Sequence, residues 1–313
     1  MLRQARHERG WVSALLAPAL LGAYDPGPIT RTRLDPLTIA TDDFARHPDP
    51  TEWRGLTVEQ IDFAEERARW RLYRIADPKR PTGPLWFVPH DDENAGFEAA
   101  LAALRKYGGT MIAVDGGGGR RNRNVTFGRS IDPNRNFHDG LPRYPSQVLA
   151  AITEGAWPII ALHTNSPGYE GAKSGCPLEG DSSGEGVISI RFCNAVLTPS
   201  ASTARRWPFD SDDVVAFATY RATETPAAAF CRDAMVGDDW NVVQERVVNS
   251  DGSLSNYSVL HDLDYLNFET LETGTEPAAL ARARDRLTWM IDRAMSLCAR
   301  PDQRPRRVTI RFR

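Results

Sequence analysis

Leu85-Trp86-Phe87-Val88-Pro89-His90-Asp91-Asp92-Glu93-Asn94-Ala95-Gly96 is the stretch on which the fold turns. Its four leading apolar residues read as a buried strand, and Pro89 with the polar run after it sits where a strand gives way to the helix expected over 97–107. In α/β folds the ends of strands are where chemistry collects. An imidazole and a carboxylate three residues apart on such a turn can face one point, as two ligands of a single Zn²⁺ must. The pair alone is not specific, because His261 and Asp264 repeat the spacing elsewhere in the chain.

Working outward, 85–88, the helix over 97–107 and a strand over 110–114 make a β-α-β unit, which implies neighbouring parallel strands. A second apolar strand, 158–162, delivers His163 at its end. In a parallel sheet the carboxyl ends of both strands lie on one edge, so His90 and His163 are expected together. A lone histidine after a strand is more often a hydrogen-bonded structural residue; two on one edge beside a carboxylate reverse that reading. Further elements are a strand over 214–219, a helix over 226–236, a strand near 242–248, and a strand over 263–271 that brings Glu269 to the same edge. An amphipathic helix over 278–300 and a strand-like tail over 307–313 complete the pattern. The fold class is α/β, a mostly parallel mixed sheet with helices on both faces. Before it, 57–68 reads as a capped, charged helix, 69–75 as a strand, and 24–56 as an irregular arm over the surface.

With 313 residues and 41% hydrophobic composition the chain can bury a sizeable core as one domain. The domain reading is a possible signal over 1–23, the arm with the first helix and strand over 24–84, and the main domain, which carries the motif, over 85–313. A net charge of −3 gives no pull toward nucleic acid or anionic membrane, and the arginine bias, with Lys79, Lys106 and Lys173 the only lysines, is compositional. Arg3, Arg6 and Arg9 followed by an uncharged run over 11–24 have the layout of a secretory signal, too short to span a bilayer. Export is therefore expected, although Pro18 interrupts the run, and the alternative is an amphipathic first helix of a cytoplasmic protein. Cys176, Cys193, Cys231 and Cys298 match no Cys-x-x-Cys metal spacing. In an exported protein Cys176 and Cys193, flanking a Gly/Ser-rich loop, are the expected disulfide pair; in a reducing compartment all four are buried thiols. The glycines at 116–119 are followed by no Lys-Ser/Thr, so they do not make a phosphate loop. The arginines around them suit an anionic or carbonyl ligand, or a solvated basic loop.

At this point the chain resembles the zinc carboxypeptidases, and more closely their compact bacterial branch. The family's His-x-x-Glu is matched by His90-Asp-Asp-Glu93, its third ligand by His163, and its Asp-x-Asn-Arg-Asn-Phe by Asp132-Pro-Asn134-Arg135-Asn136-Phe137. The likeness runs over about 85–274. It implies one Zn²⁺ per chain held by His90, Glu93 and His163, Glu269 as general base, and Arg123 as the group that holds the oxyanion. It further implies Asn134 and Arg135 as clamps on a substrate carboxylate, and Leu254 as the pocket residue, favouring an apolar terminal side chain. The partner implied is a peptide or acyl-amino acid with a free carboxylate, cell-wall peptides among them if the protein is exported. Where the family holds a mobile tyrosine this chain has Val247, and Tyr257 or Tyr265 is left to substitute. Asp91 and Asp92 are either partners of the histidines or solvated. An N-acyl amino-acid amidohydrolase of the aspartoacylase-like branch, or a peptide-binding relative without activity, are the alternative readings.

Overall fold

The computed structural model describes residues 27–152, 157–165, 175–176, 188–189, 197–221 and 226–298. The first strand of the motif, β4 (Leu85–Val88), is buried at every position, as is the strand that supplies the second histidine, up to its last residue. Continuous apolar runs of this kind belong to strands covered on both faces. In chain order the strands before it are β1 (Thr30–Leu34), β2 (Thr57–Glu65) and β3 (Ala68–Ala76). After it come β5 (Thr110–Val114), β6 (Ile159–Asn165), the short β7 (Gly175–Cys176) and β8 (Ile188–Ser189), β9 (Leu197–Ser200), β10 (Val215–Tyr220), β11 (Val242–Arg246) and β12 (Tyr265–Leu271). Ten of them form one sheet in the order β1-β2-β3-β5-β4-β6-β12-β10-β11-β9, and β7 pairs with β8. The centre, β5-β4-β6-β12, is parallel, as the β-α-β unit predicts, and so is β10 with β11; β12 against β10 and both outer flanks are antiparallel.

Helices cover both faces. On one lie α1 (Asp42–Ala45), α2 (Asn94–Tyr107), α4 (Pro226–Gly237) and α6 (Pro277–Cys298), whose Phe44, Phe97, Leu101, Met235, Leu287 and Met290 share a core. On the other lie α3 (Arg143–Leu149) and α5 (Leu254–Leu260), packed through Tyr144, Val148, Leu254 and Tyr257 against Phe87, Ala161 and Tyr265. The expected α/β class is the fold observed.

The residues before the motif differ from expectation. Residues 57–65 form strand β2, not a helix, in a hairpin with β3 that closes from Glu65 to Ala68. Its turn residue Glu66 has φ 51°, the left-handed region that a two-residue hairpin demands. Glu66-Arg67 carries none of the usual Asn-Gly or Asp-Gly signal, while Thr57 and Glu59 mimic a helix start, so local chemistry misreads the segment. Val58 faces one core and Ile61 and Phe63 the other, which only a period of two achieves. The supposed arm is likewise structural: β1 pairs with β2, and Phe44 stacks on Trp53 and meets Tyr73 and Phe97. Residues 27–84 thus extend the same sheet as the rest. The signal region over 1–23, the tail over 307–313 and Cys193 lie outside the described residues. The disulfide described joins Cys231 of α4 to Cys298 of α6. Among the described residues no helix is long and apolar enough to cross a membrane.

Candidate metal centre

His90 follows β4 after Pro89, and Glu93 occupies the N-cap position of α2 without capping it, leaving its carboxylate free to turn toward β6. That approach depends on Gly96: a Cβ there would lie 3.1 Å from the Leu162 carbonyl oxygen, so a side chain would wedge the first turn of α2 off β6. His163 sits inside β6, which runs two residues beyond it to Asn165.

The three side chains are buried and meet. Their ligand atoms all lie within 4.8 Å of one another. His90 Nδ1 is 2.8 Å from Glu93 Oε1, and His163 Nδ1 is 3.1 Å from Glu93 Oε2 and 3.2 Å from His90 Nδ1. The two imidazoles turn the same nitrogen toward the centre, and the other nitrogen of each is held from behind. His90 Nε2 lies 3.0 Å from Asp132 Oδ1, and His163 Nε2 lies 3.4 Å from Asn134 Nδ2. The Thr164 N–H donates to Glu93 Oε2 at 3.0 Å, and Arg120 donates to Glu93 Oε1.

Electrostatics follow from this packing. Burial by itself raises Glu93, and the two imidazoles override it, holding its carboxyl well below the usual range. Burial by itself lowers His90, and the Glu93 and Asp132 carboxylates override it, raising the imidazole to about 9. Asp132, despite burial, falls to about 2 through its bond and charge contact with His90. A proton on His90 and the Arg120 guanidinium therefore balance two buried carboxylates. Two imidazole nitrogens and two carboxylate oxygens converging on one point suit a divalent cation with N/O preference, which would take over that balancing charge. The donor set fits a metal ion.

The other residues expected in the site are placed as follows. Glu269 pairs in register with His163 across β6 and β12, and partners in register project to the same face, so its carboxylate stands beside the centre, accepting from Asn267 Nδ2 at 3.0 Å. Asn134 is buried between His163 and the Leu254 N–H, which donates to its Oδ1 at 3.3 Å. Arg135 is half exposed, with Nε 3.3 Å from Asp251 Oδ2. Gly252 at φ 81° joins these segments: its carbonyl accepts from the Phe137 N–H, and a Cβ would meet the Arg135 carbonyl at 2.8 Å.

Other expected residues are not brought to the centre by their side chains. Leu254 is fully buried in the core with Phe137 and Tyr257, so only its backbone reaches the site and its side chain lines no open pocket. Arg123 is exposed and lines a separate groove of about 710 Å³ with Arg69, Asp62 and Trp70; the arginine in contact with the centre is Arg120, three residues earlier on the same loop. Tyr257 and Tyr265 are both buried, Tyr257 stacked on His261 at 4.0 Å, so neither stands free to replace a mobile tyrosine. As for the neighbouring aspartates, Asp91 accepts from the N–H groups of Gly116 and Gly118 and anchors the glycine loop, and Asp92 is exposed. The carboxylate behind His90 is Asp132, which stands in the Asp-x-Asn-Arg-Asn-Phe motif and could have been assigned from it. Thr164 and Glu272, whose Oε2 accepts from Thr164 Oγ1 at 2.7 Å, had no sequence signal.

No protein-family model matches the chain, and no curated protein does. Three solved structures, of proteins inferred to be metallopeptidases, are similar. The one from Shewanella denitrificans OS217 is 14% identical over 88% of this chain and 98% of its own, with a TM-score of 0.42. That from Shewanella amazonensis SB2B is 12% identical over 80% and 91%, with a TM-score of 0.37. That from Shewanella baltica OS155 is 11% identical over 74% and 86%, with a TM-score of 0.34.

Proposed function

We propose that the chain is a zinc-dependent hydrolase that cleaves the C-terminal peptide bond of its substrates. The observation that carries this reading is the convergence of buried His90, Glu93 and His163 with Glu269 in register beside them. A zinc ion held by those three residues would supply Lewis acidity and a water acidified toward neutral pH. Glu269 takes the proton of the attacking water on its carboxylate and returns it to the leaving amine nitrogen. Arg120, which donates to Glu93 Oε1 at the edge of the centre, would be the guanidinium that holds the developing oxyanion. Asp132 accepts from His90 Nε2 and so fixes the ring with Nδ1 toward the centre. Arg135 has the planar fork for a substrate carboxylate and is already oriented by Asp251. A binding-only relative would have no need of Glu269 beside His163.

The test has two parts. Purified protein reconstituted with zinc contains close to one zinc per chain by elemental analysis, and well under one overturns the reading. Peptides with a free C-terminus are hydrolysed, and their C-terminal amides lose most of kcat/KM; equal cleavage of both would exclude the carboxypeptidase assignment while leaving a zinc amidase standing.

A further inference from the structure

The sheet face that carries His163 and Glu269 continues downward as a strip with an unusual composition. Along β12 the residues on this face are Glu269, Asn267 and Tyr265, and register places Val215 of β10 opposite Glu269 and Phe217 opposite Asn267. One strand further, Val243 of β11 pairs with Phe217, and Glu245 with Thr219, the position level with Tyr265. Partners in register share a face, so Glu245 stands on the same surface as Glu269, four residues down β12, or roughly 13 Å along the strand. To one side lies the core of Phe87, Ala161 and Tyr265, and to the other a small apolar cluster of Ala201, Val215 and Val243. α5 packs over β10 and β12 on this face and brings Ser255 to Glu245, and between the two clusters Glu269, Phe217 and Glu245 remain only partly buried.

Among the described residues no ion pair gives Glu245 a cation of its own. The charge of Arg135 acts on Glu245, but its Nε lies on Asp251, and Asp251 adds a second negative charge to the same corner. The Ser255 hydroxyl, bonded to Ser253 and Asn256, stands beside Glu245 and favours its charged form. Among the described residues, two carboxylates against one guanidinium leave the corner one positive charge short. Burial, with Asp251, raises Glu245 to about 7, the response of an anion without a counter-ion. Tyr265 lies in the field of Glu245, Glu269, Arg135 and Asp251 together.

We propose that Glu245 selects the terminal residue of the substrate, and that the side chain it receives is cationic, ending in an ammonium or guanidinium group. This rests on the hydrolase reading above, in which Arg135 takes the terminal carboxylate. A residue whose carboxylate lies on Arg135 brings its own side chain to the groups next to Arg135. Glu245 supplies the missing charge partner for its end, and the partly exposed Phe217 offers apolar surface to its methylene stem, Val215 and Val243 being fully buried. Leu254, from which an apolar preference is expected, has its side chain in the core.

The experiment pairs lysine with its uncharged isostere norleucine on the full-length, zinc-reconstituted protein. Acyl-dipeptides ending in each are compared as substrates, and Nα-acetyl-lysine and Nα-acetylnorleucine as ligands by calorimetry. A charged hydrogen bond in a half-buried site is worth about tenfold or more. Wild type therefore favours the lysine member by at least about tenfold in kcat/KM and in affinity, and in Glu245→Gln both ratios fall to near one. Equal treatment of the two by wild type, no measurable binding of the lysine ligand, or a lysine preference that survives in Glu245→Gln overturns the proposal. Failure of the hydrolase reading looks different: no turnover of either peptide, with discrimination in binding intact. The wild-type comparison stands even if the variant does not fold.

Discussion

Glu269 and Glu272 are three residues apart near the end of β12, and their surroundings assign them different work. Glu269 lies in register with His163, whereas Glu272 accepts from the Thr164 hydroxyl and meets the centre only through that residue. Glu269→Gln is expected to retain zinc and to lose about 10²–10⁴ in kcat, the scale of a general base, measured by steady-state kinetics beside elemental analysis. Glu272→Gln changes kcat far less; the reverse order would mean that the base is Glu272. Glu245 gives a residue-scale test that needs no substrate. Its folded-state value of about 7 stands above the ordinary 4.5, so the folded chain binds more protons than the unfolded one between these values. Its contribution is fully present below pH 4.5 and is lost as pH rises through 7. Glu245→Gln should match wild type in thermal stability near pH 4.5 and exceed it above pH 7, by at most about 3 kcal/mol. A variant less stable than wild type at pH 8 would show that Glu245 has a counter-ion in the folded chain.

Among the elements, α2 and β6 do most to build the centre, one supplying Glu93 at its start and the other His163 within its length. Their contact is set by Gly96, where an added Cβ would press on the Leu162 carbonyl. Two effects of similar size oppose each other in Gly96→Ala. Helix propensity favours Ala by about 1 kcal/mol, and overpacking against β6 costs about 1–3 kcal/mol. Net stability should therefore fall by no more than about 2 kcal/mol, while zinc affinity, which feels the displacement of Glu93 directly, drops more clearly. Competition with a chelating dye measures the second quantity, and unchanged affinity would show that α2 is not positioned by this contact. The same scale explains why β4, α2, β5 and β12 were legible and β2 was not. A fully buried strand announces itself by an unbroken apolar run, and an amphipathic helix by its period. An antiparallel flank strand with charged residues and a Glu-Arg turn does neither.

Across the whole molecule, the disulfide between Cys231 and Cys298 closes a separation of 67 residues and ties α4 to α6 on the face opposite the strip. Loop-closure entropy for that length is worth about 4 kcal/mol, so reduction or Cys231→Ser should lower the melting temperature distinctly, and an unchanged melt in reductant would show the bond to be absent or without effect. A pair of this kind suits an oxidising compartment, in keeping with the proposal of export. What the sequence by itself determined was the chemistry on offer: a metal-type donor pair after an apolar strand, a second histidine after another, a carboxylate on a third, and the α/β class that sets those ends on one edge. These are local, because strand period and motif spacing are written in neighbouring residues. Only the tertiary structure decided which arginine of the loop meets Glu93, that Leu254 is core, that Asp132 and not Asp91 stands behind His90, and that Glu245 shares a face with Glu269. Those outcomes depend on strand order and register, which bring together residues more than a hundred positions apart, and no spacing along the chain records the distance across a sheet.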